Sequence, residues 1–284
     1  MRELNRANGS PNHNDLDGGT FVFEAGGQRW GMDMGSDDYG LHNYFSQNLR
    51  WRYGYYRKST AGHNTLTFDN DGLDNTNRGA CDQDPGADGI TSITLFAGSD
   101  TIQDKHDGVS DVIRSSPAYS IVDLTAAYGP QNSSRVERGF AFTDSYEHLF
   151  IVDEFEFAAG ASIHNVTWTM HTMAAIQLST AGDDDQTGPA AMLSLGGAVL
   201  YARVIEPQGA IFSAVEVDLL PPQKPSVGVR KLQVHIRLGA ASSDGREAAT
   251  QATRIVVELS LNAAAATVTP NPLAHWKAAG PFAV

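Results

Sequence analysis

Short runs that alternate apolar and polar residues, broken by clusters of turn formers, leave this chain of 284 residues few folds to choose from. A period of two sends successive side chains to opposite faces of a strand, so each run reads as a strand with one buried face. "TFVFEA" (Thr20–Ala25) and "RWGMDM" (Arg29–Met34) flank Gly26-Gly27, which predicts a hairpin. Further runs follow in "ITSITLFA", "YSIVDLTAAY", "RVERGFAFT", "HLFIVDEFEF", "HNVTWTMHT", "AVLYARVIE", "AIFSAVEVDLL", "KLQVHIRL" and "TRIVVELSLN". The links between them, such as "DQDPGADG", "AGDDDQTG" and "ASSDGRE", are rich in Gly, Pro, Asp and Ser. No long stretch keeps a helical period, and the alanines at Ala263–Ala266 allow only a short helix. The expectation is an all-β chain: one large antiparallel β-sandwich over residues 12–284, with a lead-in at 1–11.

Composition narrows the function classes. Hydrophobic residues make up 41% and charged residues 19%, as in an ordinary folded protein with a large core. A formal net charge of −13 argues against nucleic acid as a partner, which needs a broad basic surface. It leaves room for an acidic ligand, because a local basic cleft works on an acidic protein. The single cysteine, Cys81, can form no intrachain disulfide and sits in no reactive motif. "MRELNRANGS" has no apolar core of a signal peptide, and no run of roughly 18 apolar residues suggests a membrane span.

One stretch is overloaded with ligand-type side chains. "NHNDLDGGTFVFEAGGQRWGMDMG" (Asn12–Gly35) carries His13, Asp15, Asp17 and Asp33 around the expected hairpin. In its second strand Trp30, Met32 and Met34 share a face, which leaves Asp33 pointing away from the core. "AGHNTL" (Ala61–Leu66) adds His63. Histidine and aspartate from separated segments suit a divalent ion, and they equally suit solvated strand edges. Between the two blocks, "RWRYGYYRK" holds four of the 20 basic residues, with Arg52, Tyr53, Tyr56 and Arg57 among its basic and aromatic side chains. Aromatic faces stack on sugars, and guanidinium forks pair with carboxylate or sulfate. A strand with a basic solvated face and a buried tyrosine face fits the same letters. "DNDGLDN" (Asp69–Asn75) resembles a calcium loop but has the wrong glycine position, and His171 in "WTMHT" reads as a hydrogen-bonded structural histidine.

"HNDLDGGTFVFEAGGQRWGMDMG", "RWRYGYYRKSTAGHNTL", "DLTAAY", "RVERGF", "VDEFEF" and "WTMHT", in this order, resemble the C-terminal β-sandwich half of the heparinase II/III-like polysaccharide lyases. The likeness spans nearly the whole chain and is strongest over Asn12–Phe68. It implies β-elimination on a uronate-containing polysaccharide. By position, His13 would lie against the uronate, while Asp33 and His63 would be metal ligands. Asp15 stands where the family usually has a third, histidine ligand. The resemblance therefore implies a structural divalent ion (zinc, manganese or calcium), and the aspartate favours a harder ion than zinc or a weaker site. Asp17 and Gly19 match motif positions with a structural role, and Arg52, Tyr53, Tyr56 and Arg57 would be subsite contacts.

In that family a helical toroid precedes the sandwich and supplies the tyrosine base. Here the motif starts near Met1, so the expectation is a partner domain or chain that brings the helical half, an acidic polysaccharide as ligand, and little activity from this polypeptide alone. Two other readings stay open: a non-catalytic carbohydrate-binding or structural sandwich that kept the metal, and a C5 epimerase. Heparan-type, chondroitin-type and alginate chains all present a uronate, and the letters do not choose among them.

Overall fold

The computed structural model describes residues 14–46, 49–69, 83, 92–96, 118–129, 133–143, 146–158, 161, 163–179, 190–238 and 253–282. His13, Cys81, most of "DNDGLDN" and the aspartates of "AGDDDQTG" lie outside them. The described chain is built from strands β1 (Phe23–Ala25), β2 (Gln28–Gly31), β3 (Leu66–Phe68), β4 (Ser92–Phe96), β5 (Tyr119–Asp123), β6 (Ser133–Phe142) and β7 (His148–Phe157). They continue with β8 (Asn165–Thr172), β9 (Ala175–Leu178), β10 (Ala190–Leu195), β11 (Ala198–Glu206), β12 (Phe212–Glu216), β13 (Arg230–Arg237) and β14 (Thr253–Ser260). Two short helices, α1 (Leu49–Arg52) and α2 (Leu273–Ala279), complete the set.

The strands form an eight-stranded sheet in the order β4-β5-β6-β7-β14-β11-β10-β9 and a four-stranded sheet in the order β12-β13-β8-β3. A separate hairpin joins β1 to β2 through Gly26 and Gly27, both at positive φ, the backbone a two-residue turn of this hand requires. Every pairing in the three sheets is antiparallel. The all-β sandwich read from the alternation is therefore the fold.

The periodicity explains the layers. Val166, Trp168 and Met170 of β8 and Leu232, Val234 and Ile236 of β13 face Leu149, Ile151, Val257 and Leu259 of the large sheet in one continuous core. Each fully buried side chain of this kind stabilises by about 1.5–3 kcal/mol. "HLFIVDEFEF" reads as nearly unbroken apolar sequence because β7 is covered on both sides. Its Phe150 and Val152 turn outward against Leu273 and Trp276 of α2, with Ile121, Ala141 and Val256 beside them. Glu154 on that outer face accepts the backbone N–H of Leu273 at 2.9 Å, which seats the first turn of α2.

Two parts of the expected pattern differ. β9 ("AIQL") and β10 ("AAMLSL") are strands beyond the runs expected from the sequence, being short and rich in alanine. "RWRYGYYRK" is not a strand: it forms α1, a bend, and a 3₁₀ turn at Tyr56–Lys58, followed by another at Thr60–Gly62. Gly54 and the tight run into Gly62 break extension there. A Cβ at Gly62 would collide with the carbonyl oxygen of Tyr56, so this packing of the two turns admits only glycine.

Candidate functional site

The lead segment 14–20 enters along the 3₁₀ turns and is tied down before the hairpin starts. The N–H of Leu16 donates to the carbonyl of Lys58 at 2.9 Å, and the carbonyl of Gly18 accepts from Thr65 Oγ1 and Gln83 Nε2, each at 2.8 Å. Asn64 then clamps both sides of the hairpin. Its Nδ2 donates to the carbonyls of Phe21 at 2.8 Å and Met32 at 3.0 Å. Its Oδ1 accepts from the backbone N–H of His171 at 2.6 Å and from His171 Nδ1 at 3.0 Å. With Nδ1 the donor, His171 Nε2 accepts from the Tyr56 hydroxyl at 2.8 Å. Burial, together with the charges of Lys231 and His63, holds His171 well below the ordinary imidazole range, so it is neutral and structural.

Behind this joint lies a buried ion pair. Arg138 on β6 and Asp153 on β7 sit opposite each other in the ladder and meet through Nε–Oδ1 at 2.7 Å and Nη2–Oδ2 at 3.0 Å. Arg138 Nη1 reaches onward to the carbonyls of Gly19 and Asn64, both at 2.7 Å. One guanidinium thus anchors the lead segment and the "GHNTL" loop to the large sheet.

On this footing the structure brings Asp33 to His63. Nδ1 of His63 and Oδ2 of Asp33 are 3.2 Å apart, and Asp33 Oδ1 accepts the N–H of Gly35 at 2.6 Å. The hydrogen bond from His63 outweighs partial burial and lowers Asp33 to about 2. Burial opposes a charged His63, but the Asp33 hydrogen bond and the charges of Asp17, Asp33 and Asp15 raise it above its ordinary value. Burial also raises Asp17, with His63 pulling the other way.

These shifts fix a pH window. Asp33 contributes stability that is complete above its unfolded value of 3.8 and disappears as pH falls toward about 2. His63, being raised, contributes stability that is complete below 6.5 and disappears as pH climbs through its folded value. The urea midpoint of wild type should therefore exceed that of Asp33→Asn most between about pH 4 and pH 6.5, and the gap should narrow on both sides. A gap that stays constant from acid to alkaline pH would remove the pair from the account.

Asp15 goes elsewhere. Its Oδ1 lies 2.9 Å from Nζ of Lys58, whose side chain is 3% exposed and lies over the Tyr44 ring at 4.4 Å. Asp15, Asp17, Asp33 and Lys58 line one open cleft of about 850 Å³. Phe21, Phe23, Phe140 and Phe142 line it with apolar surface, together with Tyr39, Tyr44 and Phe45. Tyr39 is 55% exposed and meets Phe45 edge to face, with ring centroids 5.0 Å apart.

The ligand set for a divalent ion is only partly present. Nδ1 of His63 and Oδ2 of Asp33 are spaced as two ligands of one ion could be, and Nε2 of His63 is buried with no hydrogen-bond partner among the described residues. The third position, Asp15, is held by Lys58, and no group of three ligating side chains stands within reach of one ion among the described residues. The described residues do not fit a three-ligand centre.

The expected subsite residues lie inside the protein. Arg52, Tyr53, Tyr56 and Arg57 are buried, and none of them lines the cleft. Arg57 donates to the carbonyls of Met34 and, at 3.3 Å, Pro225, and its Nε lies 3.7 Å from Asp37. Tyr56 and Arg57 are engaged within the chain, where they tether the 3₁₀ turn they belong to. The residues that do face the cleft from this region are Lys58, Tyr44 and Tyr39. Lys58 belonged to the quoted basic window, and the tyrosines follow Asp33 closely, but neither carried a motif of its own.

Residues 6–269 match the family described as heparinase II/III-like, C-terminal. The chain belongs to that family. Among solved structures it is similar to the heparan sulfate lyase HepC from Pedobacter heparinus and to a mutant of that enzyme, with 13% identity to each. The TM-scores are 0.49 and 0.48, over 87% and 90% of this chain. The chain spans about a third of those proteins, 30% and 32% of their lengths. No curated protein matches the sequence.

Proposed function

We propose that this chain is the sandwich part of a lyase that cleaves a uronate-containing polysaccharide by β-elimination, and that the cleft holds the sugar chain. The observation that carries the reading is convergence. Asp15, Asp17, Asp33 and Lys58, drawn from the sequence blocks that bear the family resemblance, line one open cleft together with the exposed Tyr39.

The reaction removes the C5 proton of a uronate and expels the O4 substituent. The proton is α to a carboxylate, so the site must offset that negative charge, supply a base and protonate the leaving oxygen. His13 is the residue that the resemblance assigns to the uronate. Two of the three aspartates in the cleft have partners of their own, Asp15 in Lys58 and Asp33 in His63, which leaves room for an anionic sugar. Tyr39 offers a ring face to a sugar there. In the family the base comes from the helical half, so these 284 residues alone should give little or no unsaturated product.

The test is retention of the purified chain on immobilised heparan sulfate, chondroitin sulfate and alginate. Ultraviolet detection of unsaturated uronate follows, with and without a helical half from a family member. Retention on at least one polymer is expected, weakened roughly 3- to 10-fold in Tyr39→Ala. Product should form only when the helical half is present. Retention that never gives product would make the chain a binding module, and no retention on any polymer would sink the reading.

A further inference from the structure

We infer that Lys58 takes the place of the divalent ion in this chain, joining the segment that carries Asp15 to the turns that lead into His63. The inference concerns how the joint is held and is independent of which polymer, if any, enters the cleft.

The geometry is that of a built cation site whose cation is part of the chain. Nζ of Lys58 lies 2.9 Å from Asp15 Oδ1 and 3.5 Å from the carbonyl of Asn14. It sits 4.4 Å from the centre of the Tyr44 ring and 5.7 Å from that of Phe45. A carboxylate, a carbonyl and two aromatic faces are what a desolvated ammonium needs to remain charged. The backbone of the same residue accepts the N–H of Leu16 at 2.9 Å, so Lys58 grips the lead segment on both sides of Asp15.

A metal bound by Asp15, Asp33 and His63 would make the same connection. Two facts show it made otherwise. Asp15 is occupied by the ammonium, and Asp33 is bonded directly to His63 and to the N–H of Gly35. The hairpin itself is seated by Asn64 and, through Gly19, by Arg138. Two of the links that an ion would supply, from Asp15 to the turns and from Asp33 to His63, are thus made within the chain, and His63 Nε2 is left without a partner among the described residues. The sequence carries both halves of this exchange: an aspartate where the family usually has histidine, and a lysine next to Arg57 that reaches it.

The experiment uses the untagged full chain. Elemental analysis of wild type should find no stoichiometric divalent ion, and its melting temperature should not move with EDTA or with added zinc, manganese or calcium. Lys58→Met and Asp15→Asn should each lower the melting temperature by roughly 5–10 °C, and the double variant should be no worse than the weaker single. Lys58→Met frees the Asp15 carboxylate, so added manganese or zinc should raise its melting temperature where wild type does not respond. One equivalent of ion in wild type, with a melting temperature that falls on its removal, would overturn the inference. So would additive effects of the two single variants. If Lys58→Met fails to fold, the wild-type metal content and the response of Asp15→Asn still decide the matter.

Discussion

Arg138→Met should cost about 3–5 kcal/mol of unfolding free energy, the loss expected when one partner of a fully buried ion pair is removed. Arg138 and Asp153 have side chains with no solvent exposure, so the variant strands a carboxylate in the core. It also leaves the carbonyls of Gly19 and Asn64 without their 2.7 Å donors. Urea titration checks the size of the loss, and a second variant separates its two parts. Arg138→Met with Asp153→Leu removes the stranded charge, and an apolar pair of similar volume often matches a buried ion pair in stability. The double variant should therefore recover the part of the loss due to the stranded charge, but not the part due to the two carbonyls left without a donor. Full recovery would mean that Arg138 serves the sheet alone and does nothing for the site. A single variant within about 1 kcal/mol of wild type would mean that water replaces the guanidinium, contrary to its burial.

That distinction shows what a sequence can carry. The strands were legible because a buried face imposes a period of two, and the hairpin because two consecutive glycines suit its turn. "RVERGF" and "VDEFEF" were visible as motifs, but the bond between Arg138 and Asp153 depends on the register of β6 against β7, which no local pattern states. "RWRYGYYRK" departs from a strand for a physical reason. Basic and aromatic residues alternate in it as on a half-buried strand, yet packing against the outer face of the four-stranded sheet closes it into turns. Tyr56 goes to His171, and Arg57 to Met34 and Pro225. The meeting of Asp33 with His63 followed from resemblance alone. The meeting of Lys58 with Asp15 spans 43 residues and was hidden, because a lysine in a basic window looks like any other solvated charge.

Asn64→Asp is the sharper probe of the site, because it changes one atom and reverses one set of hydrogen bonds. Asn64 is fully buried, with its Nδ2 between the carbonyls of Phe21 and Met32 and its Oδ1 on the backbone and ring of His171. Aspartate keeps the acceptor side and replaces the donor with an oxygen facing two carbonyl oxygens. The hairpin loses both of its clamps at once, and a new charge is buried beside His171. The expected loss is about 3 kcal/mol or more, from two unpaired carbonyls and an uncompensated carboxylate. The position of that carboxylate predicts a second signal. His171 is held neutral by burial and by the charges of Lys231 and His63, and a carboxylate 3.0 Å from its Nδ1 favours the protonated ring. The His171 titration read by NMR should therefore move upward in Asn64→Asp and not in Thr65→Val, which removes a neighbouring hydrogen bond to Gly18 without adding charge. If His171 titrates unchanged while stability falls, the loop has swung away and the clamp is the whole role of Asn64. If His171 takes up the proton and stability is largely kept, the joint tolerates a rearranged charge. The hairpin then has more support from Arg138 and the lead segment than from Asn64.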